Sequence, residues 1–419
     1  MNMKLNFRIL KHISILIILS AVIFVSAPAR AQYFQFEGKR KKEVIPFKLV
    51  KNLMIIPLKI NGNGPYNFVL DTGVGLFLIT DPKLVDTIKI ANLRSIRITG
   101  FGEGNELSAF VSPSIKVRVG SAVAQSIPAA ILKKDVFELS GYAGMPIHGL
   151  IGYEFFSSFT VKISYSMNTV TIYRSEKPYI LRKGTKIPIT IEEKKPYMMT
   201  EINMSNGQKI KAKLIIDTGA GHPISLENYM GKPFEVPEVN IAANLGVGLT
   251  GAITGYIGRI PSIKLGKYTL TNVIASFPDH SSVGSKLMSV SRNGNMGNNI
   301  LKRFDVVFDY TRLAMYLRPS TYLKEPFEHD MSGMELASAG EEYNRVVITR
   351  VEPLSPAEDL GLRKDDEILS INFKPVKEMT MQEIDNLFRS RNDRSFILDV
   401  VRDKGKEHER VILTLERRI

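Results

Sequence analysis

The chain has 419 residues, a formal charge of +14 and no cysteine. At about 150 residues per domain the length suggests three domains, and 44% hydrophobic with 23% charged residues is a globular balance that excludes wholesale disorder. The lack of cysteine excludes disulfides, a thiol nucleophile and thiolate metal sites, and His12, His148, His222, His280, His329 and His408 share no metal-ligand spacing, so no metal or other cofactor is expected.

The chain opens with a predicted secretory signal over 1–31. Lys4, Arg8 and Lys11 form a basic start, residues 13–25 an apolar run, and Ala29-Arg30-Ala31 a small-x-small cleavage site before Gln32. The apolar run is short for a span of about 20 residues. No later run is long and apolar enough to cross a membrane, so no stable span is expected after cleavage. The expected location is therefore outside the cytoplasm: periplasm, outer surface or medium of a Gram-negative bacterium. Lys4, Arg8, Lys11 and Arg30 carry four of the fourteen charges, which leaves +10 on the mature chain. These charges are scattered. The run Lys39-Arg40-Lys41-Lys42 reads as a solvated tail, and no nucleic-acid partner is expected.

An internal repeat organises the next two-thirds. Residues 68–75 (FVLDTGVG) resemble 214–221 (LIIDTGAG) at an offset of 146. The same offset carries Gly100-Phe101-Gly102 onto Gly246-Val247-Gly248. At 145, Gly152 falls on Gly297 and Phe159 on Phe304. Ile45-Pro46 and Ile187-Pro188 each start an alternating run that leads to Asn-Gly, at Asn61-Gly62 and Asn206-Gly207. The pattern within each unit is β, with turn signals at short intervals and short helices predicted over Tyr153–Ser158 and Asn298–Arg303. Two such units predict a two-lobed, pseudo-symmetric β domain, lobe 1 over 32–180 and lobe 2 over 181–325.

Each unit presents an apolar strand and then Asp-Thr-Gly. The strand places a carboxylate at a sharp turn, Thr can bond backbone on a partner strand, and Gly permits close backbone approach. One triplet is an ordinary turn. Two at equivalent points of a duplicated unit bring their carboxylates together at the pseudo-twofold axis. Such a pair shares a proton, so that it holds an acid and a base at one pH. That suffices to activate a water and protonate a leaving amide nitrogen.

Residues 44–320 resemble an aspartic peptidase of the pepsin/retropepsin type. The resemblance rests on both triplets and on the segments Leu150-Ile151-Gly152 and Asn295-Met296-Gly297 downstream. It implies Asp71 and Asp217 as the catalytic dyad, supported by Thr72, Gly73, Thr218 and Gly219. It also implies flaps at Gly100-Phe101-Gly102 and Gly246-Val247-Gly248, two similar flaps being more retropepsin-like than pepsin-like. The second flap spells the dinucleotide fingerprint over 246–251, but residues 252–257 are strand-like rather than a helix start. Val74, where the family has Ala or Ser, and the polar Asn295 depart from the family pattern.

From about 326 the pattern changes. A strand over 346–351 leads to Ser355-Pro356, which starts a short helix closed by Gly361. Beyond it the pattern gives a strand over 366–372, a helix over 381–389 and strands over 395–402 and 409–415. The region 326–419 resembles a PDZ domain, an α+β module, of the type in exported bacterial proteases, through Ser355-Pro356-Ala357 and residues 361–368. The resemblance implies a peptide-binding loop at Gly333, Met334, Glu335 and Leu336 that receives the C-terminus of a peptide ligand. The whole reads as an exported aspartic endopeptidase acting on polypeptide, with a module that recruits or positions protein substrates. The rival reading is an inert peptide-binding scaffold with the same cleft.

Overall fold

The structure is a computed structural model that describes residues 33–98, 107–176, 181–248, 251–279, 291–402 and 407–419. The expected signal at 1–31 and the first flap tip at Gly100, Phe101 and Gly102 lie outside the described residues.

The hairpin Leu53–Ile60 and Asn63–Leu70 turns at Asn61-Gly62, where both residues have positive φ, as a tight right-twisted hairpin requires. Its second strand ends in Phe68, Val69 and Leu70, all buried, and delivers Asp71. Strand Gly149–Ile151 runs parallel to it, pairing Ile151 with Leu70, and antiparallel to Phe77–Ile79. The second lobe repeats this. Lys195–Asn203 and Lys209–Ile216 form the hairpin, and Gly294–Met296 pairs parallel to its second strand and antiparallel to Ile224–Leu226.

A six-stranded sheet joins the lobes, in the order Thr185–Pro188, Ala314–Pro319, Phe304–Asp309, Phe159–Ser164, Thr169–Arg174, Lys42–Pro46. At its centre Lys162 pairs with Val307, flanked by Val161 with Phe308 and Ile163 with Val306. The 145-residue offset carries 162 onto 307, so this ladder maps onto itself and the pseudo-twofold axis passes through it. Phe155, Phe156, Phe159, Phe304 and Phe308 are buried beside it in one apolar core shared by both lobes. Burying side chains of this size stabilises by roughly 2 kcal/mol each, which makes separation of the lobes costly.

The C-terminal domain has its own core and a sheet ordered Met334–Ala339, Arg345–Val351, Glu367–Ile371, Ser395–Arg402, Glu407–Thr414. Ser355 caps helix Pro356–Asp359 by accepting from Glu358 N–H. Thr380 and Glu383 form a reciprocal capping box on helix Met381–Phe388, which buries Met381, Ile384 and Phe388. No helix among the described residues is long and apolar enough to cross a membrane.

This domain meets both lobes. Arg259 pairs with Glu328 at 3.7 Å, and Ile419 packs on the two-lobe core. Helix Leu139–Ala143 of lobe 1 lies against edge strand Met334–Ala339 and helix Met381–Phe388. A Cβ added to Gly144 would sit 2.7 Å from Met381 Cγ and 2.9 Å from Ser338 Oγ, which places Gly144 between those two elements.

Candidate active site

Asp71 and Asp217 each stand one residue past a buried strand end. Asp71 N–H donates to Ile151 O at 2.8 Å and Asp217 N–H to Met296 O at 2.9 Å. Gly73 N–H donates to Asp71 Oδ1 (2.6 Å) and Gly219 N–H to Asp217 Oδ1 (2.9 Å). Behind them the threonines exchange bonds across the axis. Thr72 N–H donates to Thr218 Oγ1 and Thr218 N–H to Thr72 Oγ1, both at 2.9 Å. Each hydroxyl then donates to a carbonyl of the opposite lobe, Thr72 to Ile216 O at 2.6 Å and Thr218 to Leu70 O at 2.8 Å. Both threonines are fully buried. Four bonds among four buried residues fix the separation of the two loops, and the Asp71 and Asp217 side chains come within hydrogen-bond reach of each other.

The downstream glycines are needed for close packing. A Cβ on Gly152 would collide with the carbonyl oxygens of Asp71 and Val74, and one on Gly297 with that of His222. No other residue lets these segments pass so close behind the turns.

Burial, and then the neighbouring Asp217 carboxylate, push the Asp71 carboxyl well above the usual carboxylate range. Asp71 is 8% exposed, whereas Asp217 is more open. The Asp71 carboxyl therefore keeps its proton to a higher pH than an ordinary carboxylate.

Residues 56–155 match the family model described as aspartyl protease, and residues 347–402 that described as PDZ domain. The chain carries an aspartyl-protease domain and a C-terminal PDZ domain. Among solved structures, an aspartic proteinase from Irpex lacteus is similar over 68% of this chain and 99% of its own, at 13% identity and a TM-score of 0.41. A photosystem II D1 C-terminal processing protease is similar over 23% of this chain, at 20% identity and a TM-score of 0.21, and this chain spans 26% of its length. No curated protein sequence matches. The aspartyl-protease match includes Asp71 and stops before Asp217, so Asp217 rests on the internal repeat and on the bonds that join the two turns.

The candidate site holds polar residues that the motifs did not assign. Asn295 Nδ2 donates to Asp217 Oδ2 at 3.3 Å, and its Oδ1 meets His222 Nε2 at 2.6 Å. Burial pushes the His222 imidazole below its usual range. Asn298 Nδ2 donates to Thr218 O (2.6 Å) and Asn52 O (2.7 Å), and its Oδ1 accepts from the Tyr165 hydroxyl at 2.6 Å. Asn52 in turn donates to Gly221 O at 2.9 Å. The only sequence signal for Asn298 was its place directly after Gly297. Glu154 is fully buried, neither of its carboxyl oxygens has a hydrogen-bond partner among the described residues, and burial raises it to about 7. His148 is apart from the dyad and accepts from Asn67 N–H at 3.1 Å.

The segment expected as the second flap is a hairpin of Asn240–Gly248 with Gly251–Leu265. Gly248 pairs with Gly251 next to its tip, and Val247, 41% exposed, is available to a ligand. In lobe 1, Arg94–Ile98 pairs with Leu107–Val119.

The PDZ loop differs from the expected carboxylate-binding arrangement. Gly333 N–H donates to Asp330 Oδ1 at 3.0 Å and Met334 N–H to Ser332 Oγ at 3.1 Å. These donors are therefore satisfied inside the loop by side chains of the loop itself. Met334 and Leu336 are buried, and Glu335 pairs with Arg350 at 2.8 Å while accepting from Asn244 of the second flap at 3.2 Å. The free edge of strand Met334–Ala339 is covered too. Lys51 Nζ donates to Leu336 O at 3.1 Å, and Lys51 N–H to Gln382 Oε1 at 2.5 Å.

Proposed function

We propose that the protein is an exported aspartic endopeptidase whose Asp71 and Asp217 activate one water against a peptide carbonyl. The observation that carries this reading is the reciprocal threonine pair, which holds two carboxyl groups within hydrogen-bond reach of each other. The ionised carboxyl takes a proton from the water as its oxygen attacks the carbonyl carbon. The protonated carboxyl gives its proton to the carbonyl oxygen. In the second step the proton taken from water passes to the amide nitrogen, the C–N bond breaks, and a hydroxyl of the tetrahedral intermediate returns its proton to the other carboxyl, which restores the acid form. The two flaps cover an extended polypeptide. Export is supported by the basic start, the apolar run and Ala29-Arg30-Ala31.

The test is digestion of a diverse peptide mixture from pH 3 to 8 by residues 32–419 and by the variants Asp71→Asn and Asp217→Asn. Cleavage by the parent that both variants lose supports the reading. A folded parent that cleaves nothing at any pH overturns it in favour of a peptide-binding scaffold.

For the PDZ domain the reading is recruitment of a peptide C-terminus along edge strand Met334–Ala339. Because Lys51 and helix Leu139–Ala143 occupy that edge, a ligand has to move them aside. Hydrogen exchange on the full chain with C-terminal peptides checks this. Protection at 334–339 together with faster exchange at 139–144 is expected. Protection elsewhere, with no change at 334–339 or 139–144, assigns the ligand to another edge.

A further inference from the structure

The dyad is symmetric in its backbone and asymmetric in what stands behind it. Asn295 and Leu150 occupy the same place in the two lobes. Each is the middle residue of a three-residue strand that pairs parallel to the strand ending at its Asp, Asn295 with Ile215 and Leu150 with Val69. Leu150 packs among Val74, Leu76 and Leu78 and offers the dyad nothing polar. Asn295 gives Asp217 Oδ2 an amide donor in addition to the Gly219 N–H on Oδ1. Apart from Asp217, the only hydrogen bond Asp71 receives among the described residues is that from Gly73 N–H.

The direction of the amide is fixed from behind. His222 Nε2 lies 2.6 Å from Asn295 Oδ1, and a buried neutral imidazole with its proton on Nε2 donates there. The amide oxygen is thus taken, and Nδ2 is left to face Asp217. An amide N–H favours an ionised carboxylate over a protonated one. Asp217 is also the more open of the two acids, so its charge is better solvated. We propose that Asn295, oriented by His222, is a positioning residue that keeps Asp217 as the ionised base of the dyad and leaves the shared proton on Asp71. This rests on the endopeptidase reading and adds to it which acid plays which part.

Other charges bear on the pair and are common to the parent and its variants. Lys195 and Tyr310 lie near Asp71, and Glu227, ion-paired with Arg292 at 2.7 Å, lies near Asp217.

The test compares the full mature chain with Asn295→Leu, which installs the residue of the other lobe, and with His222→Phe and His222→Gln. The acid limb of the kcat/KM profile reports the ionised carboxyl of the free enzyme. In Asn295→Leu it is expected to move up by about one pH unit, a roughly tenfold loss below the limb and little change above it. His222→Phe is expected to move it the same way by less, and His222→Gln, which keeps an N–H donor, to restore part of the shift. An acid limb that stays in place in folded Asn295→Leu and His222→Phe overturns the proposal. Site-resolved carboxyl carbon NMR titration reads the same point without turnover. Asp217 is expected to hold its charge to lower pH than Asp71 in the parent, and the gap to narrow in Asn295→Leu. The reverse order, or midpoints that Asn295→Leu leaves unmoved, overturns the proposal. Loss of the endopeptidase reading alone shows instead as a parent with this titration order and no cleavage.

Discussion

The two lobes share a frame and differ in lining. Asp71 and Asp217 hold matching backbone bonds at 2.8 and 2.9 Å, and the threonine amides bond at 2.9 Å in both directions. One repeat apart, however, Leu150 corresponds to Asn295, Tyr153 to Asn298 and Glu154 to Asn299. Lobe 1 sets the apolar Leu150 where lobe 2 sets Asn295, and lobe 2 backs its aspartate with that amide and an imidazole. The difference teaches that two jobs are separable. Backbone symmetry sets the distance between the acids, and side-chain asymmetry sets which one is charged.

The largest expected effect breaks the comparison outright. Asp71→Asn and Asp217→Asn should each lower kcat/KM by about 10³-fold or more, since each removes one partner of the proton transfer. Assays at the pH optimum of the parent check this. Equal losses are expected although the two acids sit in unlike surroundings.

Next comes Glu154 against its neutral counterpart Asn299. Burial raises Glu154 from its ordinary 4.5 to about 7 in the folded chain. Below pH 4.5 the acid is protonated in both folded and unfolded chains and contributes no pH dependence. Between 4.5 and 7 the unfolded chain ionises first, so stability falls as pH rises, and above 7 the loss is constant. Denaturant unfolding should show Glu154→Gln removing this fall, worth about 3 kcal/mol at pH 8.

Thr72→Val and Thr218→Val rank third. Each should destabilise by about 2 kcal/mol, because it strands a buried N–H and a buried C=O of the opposite lobe. The two hydroxyls make different bonds, each to backbone groups, so the double variant should cost about the sum of the two. Single-variant losses below about 0.5 kcal/mol, measured by unfolding, would refute the reciprocal network. The smallest effect is at Lys51→Met, which removes the donor to Leu336 O and keeps the apolar stem. It should leave stability within about 1 kcal/mol while hydrogen exchange in 334–339 rises.

Much of this was legible in the sequence because it is local or repeated. Asp-Thr-Gly, the glycines at 152 and 297, and the helices beginning at Tyr153 and Pro356 are set by short-range rules. Helix Met381–Phe388 was likewise readable from its apolar face, and its Thr380 cap agrees. Asn295 was visible only as a departure from an expected apolar residue. Its meaning needs the parallel pairing that sets it beside Asp217, 78 residues earlier in the chain. The cover on the PDZ edge was not legible at all. Gly141 meets Ser338 across 197 residues, and Lys51 meets Leu336 across 285, with nothing periodic to connect them. The loop donors at Gly333 and Met334 misled for a related reason. A glycine-bearing loop looks open in sequence, whereas Asp330 three residues before Gly333 closes it from inside.

The sheet that joins the lobes has a consequence for descent. Its central ladder maps onto itself about the pairing of Lys162 with Val307, the property of an interface between two identical molecules. A single repeat carrying this edge could close on a second copy of itself. In such a pair any substitution beside one aspartate would appear beside the other as well. Joining the copies into one polypeptide lifts that constraint, and Leu150 and Asn295 record what selection could then do with each copy separately.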